Sequence, residues 1–212
     1  MTKFIGFLVC GLLCALPAAC APNTIVQGQS VGHVHLGQNL SVVKHIIGLA
    51  PDNGDATSGR QINTWIANGK KGSRLEVITS YYVNYPDGRS NSRNLPLVEQ
   101  IRITSTWFRT HRNLGVGSTW VKLRREFPQA AQVLYYFNMA NQRVIIYDDK
   151  ISGIAFEVAC QNKLPTAETC TAIVVHPKNK NVLHEYMTFY PYESGQHLFH
   201  NGLKSMTHHS VL

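Results

Sequence analysis

One pattern occurs twice in this sequence, and a chain that repeats itself has to fold in a way that uses the same unit two times over. The first occurrence is Val34 to Gly48, V-H-L-G-Q-N-L-S-V-V-K-H-I-I-G, and the second is Leu114 to Pro128, L-G-V-G-S-T-W-V-K-L-R-R-E-F-P. Placing Gly37 on Gly117 puts Val34 on Leu114, Leu36 on Val116, Asn39 on Thr119, Leu40 on Trp120, Val43 on Leu123 and Ile47 on Phe127. Each pair keeps its physical role. Two alternating apolar residues form a short extended segment, and a glycine turns the chain. A capping residue follows, and then apolar residues spaced three and four apart line one face of a short helix. Gly48 supplies a left-handed stop to the first helix and Pro128 ends the second.

After each copy the sequence turns to strand chemistry. Runs at Gln61 to Ala67 and Leu75 to Val83 flank N-G-K-K-G, a hairpin signal, and Val98 to Thr104 adds a third. Pro51 to Arg60, rich in Asp, Gly and Asn, reads as a loop, and Tyr85 to Pro96 reads as a polar excursion. Behind the second copy the runs are Gln132 to Phe137, Arg143 to Tyr147, Ile151 to Val158 and Thr171 to His176. The expected fold is therefore α+β, in two tandem units, each a short helix region packed on an antiparallel sheet of three or four strands. The expected boundaries are 31–106 for the first unit and 107–177 for the second, with 178–212 a partly disordered extension.

The leader decides where such a chain works. Residues 1–20 carry one cation at Lys3, a mostly apolar run from Phe4 to Leu16 and then small residues, the three-part layout of an export signal. The apolar run is too short to span a bilayer stably. Ala18-Ala19 before Cys20 resemble a bacterial lipobox, which would make Cys20 the lipid-bearing first residue of the mature chain, although Pro17 stands where an aliphatic residue is usual. Cleavage after Ala21 and an uncleaved anchor are the alternatives; residues 21–30 read as a polar tether between the lipid anchor and the folded part. Cys160 and Cys170 are the cysteines outside the leader, and a single disulfide between them fits an oxidising compartment; two free thiols are the other reading.

Twenty Lys and Arg against twelve Asp and Glu give a formal charge of +8. In an exported chain this points away from nucleic acid and toward an acidic partner protein, anionic lipid or an anionic envelope polymer, or toward a basic surface with no specific target.

The residues G-Q-N with Val43, G-S-T with Leu123, V-E-Q-I-R-I at 98–103 and T-A-I-V-V at 171–175 together resemble the β-lactamase-inhibitor-protein-like fold, shared by the small lipoprotein of the outer-membrane barrel-assembly machine. The resemblance covers about residues 31–176 and implies two α/β units side by side, their sheets forming one concave face used for protein contact. It carries no inhibitor hot-spot motif, so β-lactamase inhibition is not implied.

No local catalytic signature is present: no H-E-x-x-H, no G-x-S-x-G, no phosphate-cradling glycine loop, no C-x-x-C. His33 and His35 share one side of a strand, and His197, His200, His208 and His209 crowd the C-terminus, but exposed polar faces account for them and no metal or other cofactor is expected. Asp148-Asp149 reads as a turn. The aromatic residues are more informative. In an extended run only one of Tyr81 and Tyr82, and one of Tyr135 and Tyr136, can face the helices. With Trp107, Arg102 and Arg109 they form the expected partner-binding set, since interfaces are enriched in such residues. The expected function is a noncatalytic, lipid-anchored cell-envelope protein that binds another envelope or secreted protein. The alternatives are an inhibitor or regulator of a secreted hydrolase and a histidine-based metal-binding protein or enzyme.

Overall fold

A computed structural model describes residues 23–57, 60–66, 73–81, 95–138, 140–160 and 168–183, with the backbone alone over 53–57. Within them the chain runs through β1 (Thr24–Val26), β2 (Ser30–Val31), β3 (Val34–His35), α1 (Leu40–Ile47), β4 (Asn53–Thr57), β5 (Arg60–Ile66), β6 (Arg74–Ser80) and β7 (Leu97–Ile103). It continues through β8 (Arg109–Thr110), α2 (Trp120–Glu126), β9 (Ala131–Phe137), β10 (Arg143–Asp149), β11 (Ile154–Ala159) and β12 (Thr169–Val175). The fold is mixed α+β and mostly sheet, as the sequence predicts in that coarser form.

Two sheets form. The larger has eight strands in the order β4-β5-β6-β7-β12-β11-β10-β9, and the smaller has the order β3-β2-β1-β8. Within the large sheet every neighbour is antiparallel, and β7 meets β12 at the centre, with Ile103 opposite Ile173 and Arg102 opposite Val174. The β-branched runs of β7 and β12 suit this position, where both faces are covered.

Gly37 and Gly117 stand in matching surroundings. The Gly37 N–H donates to the Val98 carbonyl at 2.7 Å, the Val98 N–H to the Gln38 carbonyl at 2.8 Å and the Leu40 N–H to the Pro96 carbonyl at 3.0 Å. The Gly117 N–H donates to the Cys170 carbonyl at 2.8 Å, the Cys170 N–H to the Ser118 carbonyl at 2.9 Å and the Trp120 N–H to the Glu168 carbonyl at 3.0 Å. Both glycines have positive φ, 78° and 88°, a conformation other residues adopt at a cost. Each bend thus ties the start of a helix to the last strand of the four that follow it.

The helices bury the expected stripes. Leu40 and Val43 of α1, Trp120 and Leu123 of α2, and Phe127 beyond it are buried, and Ile47 packs against the same cluster. Asn39 caps α1 by accepting from the Ser41 N–H at 2.8 Å, and the Gly48 N–H closes it on Lys44. Thr119 holds the capping position of α2 but makes no side-chain capping bond. Trp120 stacks on Tyr147 with centroids 3.7 Å apart. Ile25, Val31 and Val34 of the small sheet join these residues in one core on a single face of the large sheet.

Three expectations need correction. The tether over 21–30 is, from Asn23 onward, part of the fold: β1 pairs with β2 and lies parallel to β8, because Ile25 is an apolar residue the core takes in. The stretch read as a loop over Pro51 to Arg60 contains β4, which pairs with β5 along its whole length. Asp148 and Asp149 lie inside β10 and are buried, their carboxylates held by hydrogen bonds where a turn would have left them in water. Val182 is buried, so the extension is ordered at its start, while the remainder of 178–212 from residue 184, and the leader with Cys20, lie outside the described residues.

The β1–β2 turn, the β10–β11 turn and the chain after β12 cross at a point of backbone contact. The Gly28 N–H donates to the Gly153 carbonyl at 3.1 Å, and a Cβ on Gly153 (φ 73°) would strike the His176 carbonyl oxygen and lie 2.8 Å from Gly28 Cα. Gly48 has nearly the same φ, 72°, with open space around it. Gly153→Ala is expected to cost at least about 2 kcal/mol more than the roughly 1 kcal/mol of Gly48→Ala, measured by urea unfolding. Equal costs would mean that the crossing is looser than described.

Candidate functional site

Side-chain alternation divides the large sheet into two faces. Val77, Ile101, Ile103, Phe156, Ile173 and Val175 turn toward the helices. On the opposite face stand Glu76, Gln100, Arg102, Ala155, Glu157 and Val174. The resemblance predicts that this second face is an open contact surface. At its described centre it is filled instead, by an ion-pair cluster and by the chain beyond β12.

Arg102 forms the middle of that cluster. Its Nε and Nη2 donate to Glu157 at 2.5 and 2.7 Å, and its Nη1 to Glu76 Oε2 at 2.7 Å. The Tyr136 hydroxyl donates to Glu157 Oε2 at 2.7 Å. Glu76 lies directly across from Arg102 on β6, whereas Glu157 lies two strands away, opposite the small Ala172 of β12, which leaves the guanidinium a path over that strand. The cluster therefore bridges the seam where β7 meets β12.

Burial opposes the charges of both Arg102 and Glu157, and mutual attraction outweighs it. The Glu157 and then the Glu76 carboxylate hold Arg102 well above its ordinary range, and Arg102, with the hydrogen bonds from Arg102 and Tyr136, holds Glu157 below its own. Burial, then the Glu157 charge, pushes the Tyr136 phenol upward. Glu76 Oε1 is buried and accepts no hydrogen bond. These groups are arranged to hold charge in place, with their carboxylates engaged by Arg102, and nothing in their geometry offers a free acid or base to a substrate.

Beside the cluster the chain after β12 is fastened to the same face. Asp148 accepts from the Val182 N–H at 3.0 Å and faces His176 Nε2 at 3.0 Å. Gln100 bonds Leu183 twice, accepting from its N–H at 2.9 Å and donating to its carbonyl at 3.2 Å. Val182 joins Ile146, Ala155 and Val174 in a second apolar cluster, and Leu183 packs on Ile62 and Ile78.

Two of the solvent-facing aromatic residues, Tyr135 and Phe137, are at the end of the sheet. Among the described residues no strand pairs with β9 on its outer side. Tyr135 and Phe137 of this strand are 38 and 50% exposed on one face, and Val133, at the bulge where β9 carries one residue more than β10, is 48% exposed. Tyr135 and Phe137 meet edge to face at 6.1 Å, and the Arg143 guanidinium lies 4.5 Å from the Tyr135 ring centroid. On the next strand Tyr147 feels Glu168 and Cys160 on one side and Arg124 and Arg143 on the other, with burial the first cause of its raised pKa.

The predicted site residues are thus dispersed. Arg102 and Tyr136 come together, but in the interior. Tyr135 is at the exposed edge, as the choice between Tyr135 and Tyr136 requires. Trp107 is 57% exposed and edge-on to Phe108, far along the chain from that edge, and the Arg109 side chain packs over Gly115. Tyr81 is half-buried at the end of β6, and Tyr82 lies outside the described residues. Val133, Phe137 and Arg143 were not among the sequence candidates. Their signal was the uncharged run A-Q-V-L-Y-Y-F, whose place at a sheet end the sequence does not reveal.

Cys160 and Cys170 are free thiols. The expected bridge fails on register: a bulge between Glu157 and Val158 sets Cys170 opposite Val158, and Cys160 lies beyond the last pair, Ala159 with Thr169. Diagonal neighbours of this kind keep their Cβ atoms about 7 Å apart, against about 4 Å in a disulfide. Burial first, then carboxylates (Glu168 for Cys160, Glu157 for Cys170), pushes both thiols upward, away from the reactive thiolate. The two residues therefore lend no support to an oxidising compartment. Among the described residues no three His, Cys, Asp or Glu side chains converge as a metal site.

No protein-family model matches this chain, and no curated protein sequence matches it. Among solved structures, a cysteine-rich secretory protein from Staphylococcus aureus subsp. aureus Mu50 matches at 14% identity with a TM-score of 0.39. The match covers 74% of this chain and 47% of that one, so the chain spans less than half the length of that structure.

Replacing Arg102 leaves two carboxylates without their cation. Arg102→Met is expected to destabilise the protein by about 3 to 5 kcal/mol at neutral pH. In the wild type Glu157 has a depressed pKa, so its contribution is present above the unfolded value of about 4.3 and is lost as pH falls through the folded value. In the variant burial, the largest influence on Glu157, is opposed only by the Tyr136 hydrogen bond and raises the carboxyl, so the variant should regain stability relative to the wild type as pH falls from 7 to about 5. Chemical denaturation at the two pH values checks the sign. A gap that widens on acidification contradicts the account.

Proposed function

We propose that this chain is a noncatalytic, exported macromolecule-binding module, a tandem duplication of one α+β unit, which engages a partner protein through the β9 end of its sheet. The observation that carries the reading is the exposure of Val133, Tyr135 and Phe137, with Arg143 against Tyr135, at a sheet end that no strand pairs among the described residues. Large aromatics beside an arginine, with no charge of their own, are the composition of interface centres. The matched hydrogen bonds at Gly37 and Gly117 support the duplication. They are also what the β-lactamase-inhibitor-protein-like resemblance would require, and on that resemblance the contact surface moves from the sheet face to the sheet end.

A photo-crosslinking residue in place of Tyr135 or Phe137, introduced in the producing cell, should give a discrete crosslinked product, reduced when Val133→Asp is added. The same residue at Val121, exposed on α2, should give none. Crosslinks at Val121 but not at Tyr135 would remove the reading.

Export and anchoring belong to the same proposal. The leader supports them, and Cys20 is the residue that would carry the lipid. Cys20→Ala should abolish incorporation of labelled fatty acid and release the protein from the membrane fraction; unchanged labelling rules the anchor out.

A further inference from the structure

The backbone of β9 adds a second property to its apolar row. The Asn138 N–H donates to the Gln142 carbonyl at 3.0 Å, and on the other side of β10 the Cys160 N–H donates to the Arg143 carbonyl at 2.8 Å. Antiparallel strands alternate bonded and non-bonded pairs. With Val144 opposite Tyr136 and Ile145 opposite Tyr135, that alternation assigns the N–H and C=O of Leu134 and Tyr136 to β10 and turns those of Tyr135 and Phe137 to the open edge. The residues with exposed rings are therefore the residues whose backbone donors and acceptors meet no other strand among the described residues.

The two ends of the sheet differ. β4, with the sequence N-G-D-A-T, has a glycine and an acid and no large apolar residue. β9 has neither charge nor proline nor glycine in seven residues; its one edge-blunting device is the bulge at Val133, and Leu134 to Phe137 beyond it pair with β10 in regular register. Its basic surroundings select the occupant. Arg143 reaches outward over Tyr135, one strand beyond its own backbone. A second copy would bring a net charge of +8 against it, and the C-terminal stretch Gln196 to Leu212 contains no acid at all.

We propose that β9 receives an extended, acidic segment of the partner as an added strand, bonded to the backbone of Tyr135 and Phe137 and charge-matched by Arg143. This rests on the β9 end being the contact surface.

The probe is an acetylated, amidated peptide of about eight residues alternating glutamate with isoleucine, long enough to cover β9. Titrated into the full chain, it should slow hydrogen exchange at the amides of Tyr135 and Phe137 and bind about tenfold more tightly than the same peptide with lysine for glutamate. N-methylation of alternate peptide amides in the register facing β9 should abolish binding, added salt should weaken it, and Arg143→Glu should reverse the preference between the two peptides. Equal binding of the acidic and basic peptides, or binding without protection at Tyr135 and Phe137, overturns the proposal. So does protection of those amides in the peptide-free protein, whether it disappears on dilution, as a second copy requires, or on truncation after Leu183, as the chain's own end requires. Crosslinking at Tyr135 together with an unprotected Tyr135 amide would sink strand addition alone and leave the β9 surface standing. Absence of crosslinking with full peptide binding would do the reverse.

Discussion

Arg102 carries its guanidinium in the interior of an eight-stranded sheet, and a charge there persists only where opposite charges and hydrogen bonds replace the water it has lost. The replacements come from both sides of the central seam, Glu76 on β6 and Glu157 on β11. Such a cluster adds little net stability over an apolar one of the same volume, but it discriminates between arrangements. A one-residue slip of β7 against β12 would turn Arg102 into the apolar cluster around Ile101, Ile103 and Ile173 and leave both glutamates unpaired. The hydrophobic runs of β7 and β12 would tolerate several registers; the charges tolerate one. The positions of the helices, the bends at Gly37 and Gly117 and the far edges of the sheet all follow from that register, because each bend is bonded to the strand on its own side of the seam.

The bends themselves were legible because they depend on local chemistry. A glycine at positive φ, a capping position two residues later and an apolar stripe at helical spacing are read from consecutive residues, and they predicted the buried Leu40, Val43, Trp120, Leu123 and Phe127. The long strands were legible to within a few residues for the same reason. What was missed is set by pairing and burial against other segments rather than by the residues' own composition. Thr24–Val26 is too short to read as a strand until β8 lies beside it, and β4 has a loop's composition and is extended because β5 holds it. Asp148 reads as a turn residue until the N–H of Val182 and the ring of His176 arrive from the far end of the fold.

The candidate residues show the same division. Sequence alternation stated that Tyr135 and Tyr136 must face opposite ways, which holds, but not which of the two would be covered. Arg102 looked like an interface arginine because neither of its glutamates is near it in sequence. A single-residue bulge misaligned the cysteines, and no composition or spacing rule anticipates a bulge.

An exposed apolar edge is ordinarily a liability, since identical molecules can pair through it. Here the chain's overall charge acts against that outcome. Copies carrying a formal +8 repel one another, and Arg143 stands 4.5 Å from the Tyr135 ring at that edge, inside the screening length of about 8 Å at physiological salt. An acidic strand meets attraction over the same distance. On the proposed reading the uncharged edge and Arg143 are complementary: the backbone of Tyr135 and Phe137 offers hydrogen bonds to an extended chain, and the charge beside it favours an acidic one. The ion-pair cluster at the seam contributes to this end as well, because Tyr136, the neighbour of both exposed rings, is fastened to Glu157. That bond ties the middle of β9 to β11 across β10 and so holds the strand that carries Tyr135 and Phe137 against the sheet.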